Sequence, residues 1–475
     1  MAFRYGNRLQ ISFLPDSIEK YVSEDDIVRV YDTFIDCIDI EELGLKTNER
    51  SVGNSSYDPI TMLKILVYAY SYGWRSSRKI ERALRHNLSF IWLSGGLKPD
   101  FKTISEFRRN NLKVLKNILV QSARLAMKLD LVHGNILFVD GSKFRANAGN
   151  KQTKSLATWE SYEKHVSKRI DELLEEIDLL DKTEPGSLVV INKELKSKKR
   201  LQTKINTLLA EFKDEEKVNG TDPDCKIMQS RQGAHASYNV QATTDEAHGL
   251  IVSLEGNNSS NDLNQLSLQV KNAENNLIKT CDTVCADAGY SSIEDQITLI
   301  ENEKTVVVPT QKQAEKEKKE NPFDKDYFNY VENEDIYLCP EGKKLRRITK
   351  KVGAKKIEYR IQNKYDCLNC DNYGKCTISR NGRKVVRSRY ESTKEEISEF
   401  YESEEGQKIY GKRKMRVELQ FGHLKRNLGA GAFLLRGVEA INAELGLLGT
   451  SFNLARMVTL LGGVRPIISK LTEIK

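Results

Sequence analysis

The sequence predicts a mixed protein of the α+β or α/β class, in which a mixed sheet follows a helical region and is interrupted twice. Residues 1–130 are apolar at helical spacing over long stretches. From residue 135 onward, short β-branched runs alternate with helical patterns, which is the order of elements in an α/β layer. Two stretches of different composition separate these runs and indicate insertions.

Composition excludes several classes of protein. The chain has 475 residues and a formal net charge of +8, with 30% charged and 39% hydrophobic residues. This length suggests about two to four domains, and eight Cys are too few for a disulfide scaffold. The first residues lack the apolar segment of a secretory signal, and the longest apolar stretch, 440–464, contains charged residues. We therefore expect a cytoplasmic or nucleoid-associated protein without a membrane partner.

The first predicted domain, 1–130, is all-helical. Pro59 opens the first of three expected helices, the second covers 76–93, and the third begins near Thr103. Between residues 64 and 85 there are six basic residues and one acidic residue. Short basic helices are compatible with a helix-turn-helix that binds DNA, and equally with a bundle used for packing or dimerisation.

The core begins in residues 131–150, where one apolar, β-branched run predicts a buried strand that ends at Asp140-Gly141. Residues 151–222 follow as an insertion. Apolar residues recur there at helical spacing on both sides of a break at Pro185. The pattern predicts an antiparallel helical hairpin with an architectural role.

The core is expected to continue over residues 223–310. The sequence predicts a β-hairpin, a helix capped by Asp262, a strand ending at Asp287, a second helix and a short last strand. The expected ranges are 236–244 with 250–255 for the hairpin, then 262–277, 283–287, 292–301 and 305–308.

The second insertion, residues 311–390, is predicted to be small, β-rich and basic. Between Lys343 and Arg389 there are 16 Lys or Arg and 3 Asp or Glu, a local charge of 16 − 3 = +13. The rest of the chain therefore sums to 8 − 13 = −5. A patch this concentrated favours a polyanionic partner over a solvated loop. Residues 391–475 return to a helical pattern and are expected to complete the core.

Three carboxylates stand out in this frame. Asp140 and Asp287 each follow an apolar run, and Glu418 lies on a basic helix. Carboxylates on neighbouring strands would repel unless a cation lay between them, and hard oxygen ligands select Mg²⁺ or Mn²⁺. Each residue also has an ordinary explanation: a turn for Asp140, a turn or cap for Asp287, and a helical salt bridge for Glu418.

Three blocks of sequence resemble a known family. They are Val139-Asp140-Gly141-Ser142-Lys143-Phe144-Arg145-Ala146-Asn147-Ala148, Ala286-Asp287-Ala288-Gly289-Tyr290-Ser291, and the helix from Tyr410 to Lys425. Together they resemble a bacterial insertion-sequence transposase of the DDE class, which has an RNase H-like catalytic core and often a helical domain ahead of it. The resemblance implies that Asp140, Asp287 and Glu418 are the catalytic metal ligands.

The helix also resembles the Tyr-Arg-Glu-Lys signature of that family, in Tyr410, Arg413, Glu418 and Lys425. The spacing from Arg413 to Glu418 is one residue longer than in the commonest form, and Lys414 would satisfy the shorter spacing. Either residue can therefore be the equivalent of the signature Arg. The resemblance implies that these cations and Tyr410, with the neighbouring Arg426, contact DNA or its phosphates.

The implied activity is metal-dependent DNA transposition. Two Mg²⁺ or Mn²⁺ ions would be clamped by the three carboxylates, which we expect to lie within roughly 8 Å of one another. The implied partners are double-stranded DNA, at the inverted repeats of the element and at the target, and a second copy of the chain. Two alternatives use the same residues: a metal-dependent DNA nuclease that does not join strands, and an inactive DNA-binding descendant of a transposase.

The cysteines fall into two groups. Four are isolated, whereas Cys339, Cys367, Cys370 and Cys376 lie in or beside the basic insertion. The two-residue gap between Cys367 and Cys370 is typical of zinc sites, and the other two thiols would complete a tetrahedral set. Reduced cysteines without a metal are the alternative. A structural zinc is slightly favoured because so small a β-rich segment has little core of its own.

Overall fold

The structure is a computed structural model that describes residues 17–47, 57–180, 188–230, 232–314, 322–349 and 355–474. Two compact units are present. The first comprises the described residues up to Asp262, Leu268–Val284, and those from Lys412 onward; the second comprises Leu263–Ser267 and Cys285–Gly411. The break of the helical hairpin at Pro185, much of the charge run over 311–320, and the basic residues 350 and 351 lie outside the described residues.

The N-terminal part of the first unit is helical, as predicted. Its helices are α1 (Val28–Cys37), α2 (Ile40–Leu43), α3 (Pro59–Ser71), α4 (Ser77–His86), α5 (Leu88–Leu93), α6 (Phe101–Asn110) and α7 (Leu112–Lys128). The helices expected over 76–93 and from Thr103 are each divided in two. Asn87 accepts hydrogen bonds from the backbone N–H groups of Ser89 and Phe90, so it ends α4 and caps α5.

Helix α3 is the most buried of these helices. Asp58 caps it by accepting a hydrogen bond from the Thr61 N–H, and Pro59 occupies the first helical position, where its missing N–H costs nothing. Its side chains from Met62 to Tyr70 are buried except for Lys64. Lys64 reaches Asp32 and Asp36 on α1, with Nζ to carboxylate distances of 2.6 and 2.7 Å.

The first unit contains an antiparallel sheet and a helical hairpin. Its strands and helices are β1 (Ile136–Arg145), β2 (Thr153–Ser155), α8 (Leu156–Leu180), α9 (Leu188–Glu211), β3 (Lys217–Asn219), β4 (Lys226–Ser230), β5 (Gly233–Asp245) and β6 (Ile251–Asn257). Strand β1 pairs with β5, and β5 pairs on its other edge with β4 and then β6. The hairpin expected within 236–255 is confirmed. Helices α8 and α9 pack on each other around Trp159, Val166, Ile170, Leu173, Leu195, Ile205 and Leu208.

The chain then passes from one unit to the other. Helix α10 (Leu266–Leu277) begins four residues after Asp262, so Asp262 is not its N-cap and that prediction is wrong. Strand β7 (Thr283–Cys285) follows, and its first residues run along the edge of β1 that β5 leaves open. The carbonyl of Asn135 there accepts hydrogen bonds from the N–H groups of Asp282 and Thr283.

The second unit is built on a small antiparallel sheet. Its elements are α11 (Ile293–Glu301), β8 (Thr305–Val307), α12 (Gln311–Ala314), β9 (Asn329–Val331), β10 (Ile336–Leu338), β11 (Lys344–Arg347), β12 (Lys356–Ile361), α13 (Tyr365–Leu368), β13 (Lys384–Ser388), α14 (Glu391–Glu402) and α15 (Glu404–Arg413). Strands β13, β12, β11, β10 and β9 lie side by side in that order. The predicted strands at 336–338 and 356–361 are confirmed. The core of this sheet consists of only Phe328, Tyr337, Leu345, Tyr359, Ile361 and Val385 among the described residues.

Helices return the chain to the first unit. A π-helical segment, Lys414–Glu418, is followed by α16 (Leu419–Gly422), a second π-helical segment (His423–Asn427), α17 (Val438–Leu460) and α18 (Val464–Ile474). Helix α17 is largely buried and packs on β6, where Gly256 lets Ile441 approach the strand. Within the described chain no single helix is long and apolar enough to cross a membrane; α17 and α18 meet that test only as a pair bent by 108°.

Candidate active site

Asp140 lies in the middle of a strand. The sequence predicts that β1 ends at Asp140-Gly141, but the strand continues to Arg145 and pairs with β5 from Leu137 to Arg145. Asp140 is opposite Ala242, and its carboxylate accepts a hydrogen bond from the Gly141 N–H at 2.9 Å. The turn explanation of Asp140 is therefore wrong, because a ladder of backbone hydrogen bonds fixes the residue on rigid scaffold.

Gly141 is required by the close approach of two side chains from its own unit. A methyl group at this position would lie 2.5 Å from Asp262 Oδ1 and 2.7 Å from Gln241 Nε2. Successive residues of a strand point to opposite faces, so Gly141 and Lys143 face these groups, whereas Asp140 and Ser142 face the other way.

Arg413 joins Asp140 to Glu418. Its guanidinium Nη2 lies 2.7 Å from Glu418 Oε1, and Nη1 lies 3.6 Å from Asp140 Oδ1. The Arg413 and Asp140 side chains are only 12% and 13% exposed, whereas that of Glu418 is 39% exposed. Two acids that are distant along the chain therefore share one largely buried cation, with a short contact to Glu418 and a longer one to Asp140.

The π-helical segment explains the unusual spacing in this part of the chain. A π-helix closes its hydrogen bonds five residues apart, so it accommodates one residue more per turn than an α-helix. Arg413 immediately precedes this segment and Glu418 is its last residue, five positions later, and the two meet in an ion pair. Lys414, the alternative equivalent of the signature Arg, is exposed. In this geometry Arg413 is the residue paired with the glutamate.

Lys425 is anchored to the same strand. Its Nζ donates hydrogen bonds to Ser142 Oγ at 2.6 Å and to the carbonyl of Lys143 at 2.8 Å, and it lies 4.5 Å from the centre of the Phe144 ring. Burial lowers the pKa of Lys425 to about 8, and the charge of Asp140 opposes that shift. The neighbouring Arg426 is exposed.

Asp287 and Tyr410 belong to the second unit. The Asp287 carboxylate caps a short 3-10 turn, Ala288–Tyr290, by accepting a hydrogen bond from the Gly289 N–H at 2.8 Å. Asp287 therefore acts as a cap through one carboxylate oxygen, Oδ1. The Tyr410 ring packs edge-on against that of Tyr401, with ring centres 5.1 Å apart. The convergence of Asp287 with Asp140 and Glu418 stays a prediction.

Asp262 is the residue that the sequence did not assign to this region. Its Oδ1 accepts hydrogen bonds from Asn239 and Gln241, each at 2.7 Å, and lies 3.8 Å from Lys143 Nζ. Burial lowers the pKa of Lys143, and Asp262 opposes that shift. The polar residues that follow β6 are the only indication of this role in the sequence, and they are equally typical of the start of a helix.

The donor set in the first unit suits a hard cation, because carboxylate oxygens are the preferred ligands of Mg²⁺. In the parts of the chain that the structure describes, however, no three His, Cys, Asp or Glu side chains are gathered as a ligand group for a metal ion. Arg413 supplies the positive charge between Asp140 and Glu418 in this arrangement.

Two family models match the chain. A transposase domain, DUF772, matches residues 16–110, and a transposase DDE domain matches residues 338–458. The second match contains Glu418, and Asp140 and Asp287 lie between the two matched stretches.

Matches to whole proteins are weaker than the matches to these two domains. No curated protein matches the chain. One solved structure, a cryo-EM structure of the piggyBac transposase synaptic complex with hairpin DNA, aligns with 95% of this chain and 79% of that chain. The two share 11% sequence identity with a TM-score of 0.32, too low to support an argument from shape. Residues 16–110 and 338–458 of the chain are therefore similar to transposase domains, the second of them to a transposase DDE domain.

Proposed function

We propose that the chain is the transposase of an insertion sequence, which binds the terminal inverted repeats of its element, cuts there and joins the 3′ ends to target DNA. The observation that carries the proposal is the meeting of Asp140 on β1 with Glu418 on the helix, through Arg413. Glu418 and Arg413 belong to the stretch that matches the transposase DDE domain, whereas Asp140 lies outside both matched stretches.

We infer that Asp140, Glu418 and Asp287 are the ligands of a divalent cation, Mg²⁺ or Mn²⁺, in a two-ion site. When bound, such ions activate a water or a DNA 3′-OH and stabilise the leaving oxygen of an in-line displacement at phosphorus. The support is the chemistry of the donors and the shared need of Asp140 and Glu418 for positive charge. The inclusion of Asp287 rests on the sequence resemblance.

The cations of the helix have separate roles in this proposal. Arg413 holds the two carboxylates and orients Glu418 toward β1. Lys425 braces β1 through Ser142 and the Lys143 carbonyl, which fixes the strand that carries Asp140. Lys414 and Arg426 are exposed on the same helical run and are suited to contact DNA phosphates. We assign Tyr410 to the same surface from the resemblance to the signature.

Double-stranded DNA is the proposed partner of the basic sheet in the second unit. Arg346 lies opposite Arg360 on the neighbouring strand, and Arg360 lies opposite Lys384 on the next. Like charges directly opposite each other destabilise a sheet unless a counter-charge is supplied. This row of three cations, which we call the cationic row, points away from the core residues Leu345 and Tyr359. Lys384 is paired with Glu358 at 2.9 Å, and a phosphate backbone can supply the remaining counter-charge.

The proposal includes a fold and an assembly. An RNase H-like core is supported by the order of the strands in the first unit, where β1 lies between β5 and β7 and β5 also pairs with β6. Because a synaptic complex joins two ends of the element, we propose that the active form on DNA is a dimer.

The test uses linear DNA that contains both ends of the element, with a target duplex and Mg²⁺ or Mn²⁺. Wild type should cut at the ends and join them to target. Asp140→Asn and Glu418→Gln should each lose at least about 100-fold in cutting while they retain DNA binding, because each removes charge that acts on the transition state. Asp130→Asn, which changes an exposed carboxylate of the same unit, should cut as wild type does.

Three results would contradict the proposal. Cutting without joining would make the chain a nuclease, and binding without cutting in either metal would make it a DNA-binding protein only. Equal activity of Asp140→Asn and wild type would remove Asp140 from the site. The variant Arg413→Gln adds a check on positioning: it should lose cutting but recover part of it at higher Mn²⁺, since more metal can replace the missing charge.

A further inference from the structure

Four cysteines of the second unit surround a single small cavity. Cys339, Cys367, Cys370 and Cys376 all line it, although Cys339 is far from the other three along the chain. The cavity is small, with a volume of about 30 Å³. Each of the four is half-buried, whereas Cys225, Cys281 and Cys285 are fully buried elsewhere.

Two of these thiols accept hydrogen bonds from backbone N–H groups. The N–H of Lys343 donates to Cys339 Sγ at 3.3 Å, and the N–H of Arg383 donates to Cys367 Sγ at 3.4 Å. The first of these bonds closes a tight turn in which Gly342 adopts a left-handed conformation, with φ of +72°. Donors that point at sulfur in this way are typical of the groups that surround metal ligands.

The loops that carry the cysteines are tied to one another. Asn372 Nδ2 donates to Glu341 Oε1 at 2.8 Å, which connects the turn at Cys339 to the loop between Cys370 and Cys376. Arg383 donates to the Cys376 carbonyl at 2.7 Å and to the Phe323 carbonyl at 2.7 Å. Lys343 and Arg383 line the cavity together with Glu341 and Asp366, so the charged side chains around the four thiols balance one another.

We propose that Cys339, Cys367, Cys370 and Cys376 bind one structural Zn²⁺ as a four-thiolate site. Four sulfur donors select zinc among common divalent ions, and a closed tetrahedral set without a water position is typical of a structural role. The thiols line the cavity but are not yet gathered as a ligand group. Binding therefore requires the four Sγ atoms to approach one another more closely, with release of the thiol protons.

The site answers a structural need of the second unit. Its sheet has a core of only six described residues, and Cys339, Cys367 and Cys376 pack against that core. A segment with so little apolar burial gains stability from a metal that joins distant loops. Zinc would tie the end of β10, the short helix α13 and the loop before β13 into one body, and would thereby hold the strands of the cationic row in register.

The test measures metal on the full-length chain. Protein purified from medium that contains zinc should hold one Zn²⁺ per chain by elemental analysis, and four thiols should become reactive only after a strong chelator is added. Cobalt added to the metal-free chain should give the visible bands of tetrahedral thiolate coordination. Cys339→Ser and Cys370→Ser should each lower zinc affinity at least about tenfold.

The control is Cys37→Ser, because Cys37 is equally half-buried but lies outside the cavity; this variant should keep one Zn²⁺. The proposal fails if wild type carries no more zinc than Cys339→Ser, if iron is bound instead, or if the four thiols are found as disulfides. The cobalt spectrum and the thiol count use wild type alone, so they decide the matter even where a variant does not fold. None of these readouts depends on DNA cutting.

Discussion

Arg413 and Lys425 both reach β1 from the helix, but they differ in whether their charge depends on pH. Arg413 carries a guanidinium, which stays protonated in proteins, and it contacts two carboxylates. Lys425 is held by a hydroxyl and a carbonyl, both uncharged, so burial of its ammonium is not offset to the same degree. The charge at Arg413 is therefore fixed, whereas the charge at Lys425 depends on pH.

Lys425 should titrate near pH 8. Its pKa in the folded chain is about 8, against 10.5 without the shift, so the unfolded chain binds more protons between these values. The contribution of Lys425 to the free energy of unfolding therefore rises with pH across this window and is smallest below about 8. The measurement is a pH titration of the chain with ¹³C-methylated lysines, followed by NMR and assigned with Lys425→Arg.

One resonance should move with a midpoint near 8 and vanish in the variant, while exposed lysines titrate near 10.4. A Lys425 signal that titrates with the exposed lysines would show that its ammonium is solvated, and the bracing contact with Ser142 would then be wrong.

Sequence reasoning at this scale succeeds where a residue's role depends on its own segment. Asp140 and Glu418 could be picked out because each stands against its local pattern, one in an apolar run and one among cations. Asp262 could not, because its partners Asn239 and Gln241 lie on a strand more than twenty residues away. The choice between Arg413 and Lys414 also needed the π-helical segment, which has no sequence signature.

Helices and strands, like single residues, depend partly on their own segment and partly on distant contacts. Apolar periodicity predicted helices and strands well, but single capping residues decided where they stop. Asn87 interrupts a continuous apolar pattern because its side chain can replace a backbone acceptor at the start of α5. Helix α10 begins at Leu266 with help from outside its own segment, since Asp295 accepts a hydrogen bond from the Leu266 N–H at 2.7 Å.

The packing of α17 on β6 should be sensitive to one methyl group. A Cβ at Gly256 would clash with Ile441 Cδ1, so Gly256→Ala should destabilise the first unit by about 1–3 kcal/mol and lower its thermal midpoint. Ile441→Val removes Cδ1 and should itself cost about 0.5–1.5 kcal/mol. The double variant should lose less free energy of unfolding than the two single variants lose together. We expect the difference, which is the coupling energy, to be at least about 0.5 kcal/mol.

Thermal unfolding followed by circular dichroism gives the three midpoints. The control is Gly149→Ala, because no atom lies within 4 Å of a Cβ at that position, and its midpoint should match wild type. Simple additivity of Gly256→Ala and Ile441→Val would mean that α17 does not approach β6 as closely as this packing requires.

The whole molecule divides its charge unevenly, and this division has a physical consequence. The net charge of +8 results from a local excess of +13 over residues 343–389 and a deficit of −5 elsewhere. A count of charged residues is enough to identify that segment as basic, because the count does not depend on the fold. The alignment of Arg346, Arg360 and Lys384 across three strands could not be foreseen, because it depends on the register of the sheet.

DNA affinity should therefore depend steeply on salt, and the cationic row should set part of that dependence. Each phosphate contact contributes about 0.9 to the slope of log affinity against log salt concentration. Replacing Arg346, Arg360 and Lys384 together by Gln should reduce the slope by up to about 2.7, that is 3 × 0.9, and weaken binding to all sequences alike. Binding is measured by fluorescence anisotropy on a random duplex and on a duplex from the end of the element, over a series of salt concentrations.

The matched control replaces Lys193, Lys196 and Lys199, three exposed lysines of α9, which makes the same change in net charge away from the sheet. If the control lowers the slope as much as the triple variant does, then net charge alone governs binding. The proposal that this sheet contacts the DNA backbone would then be withdrawn, because a specific surface must lose more affinity than a distant one for the same change in charge.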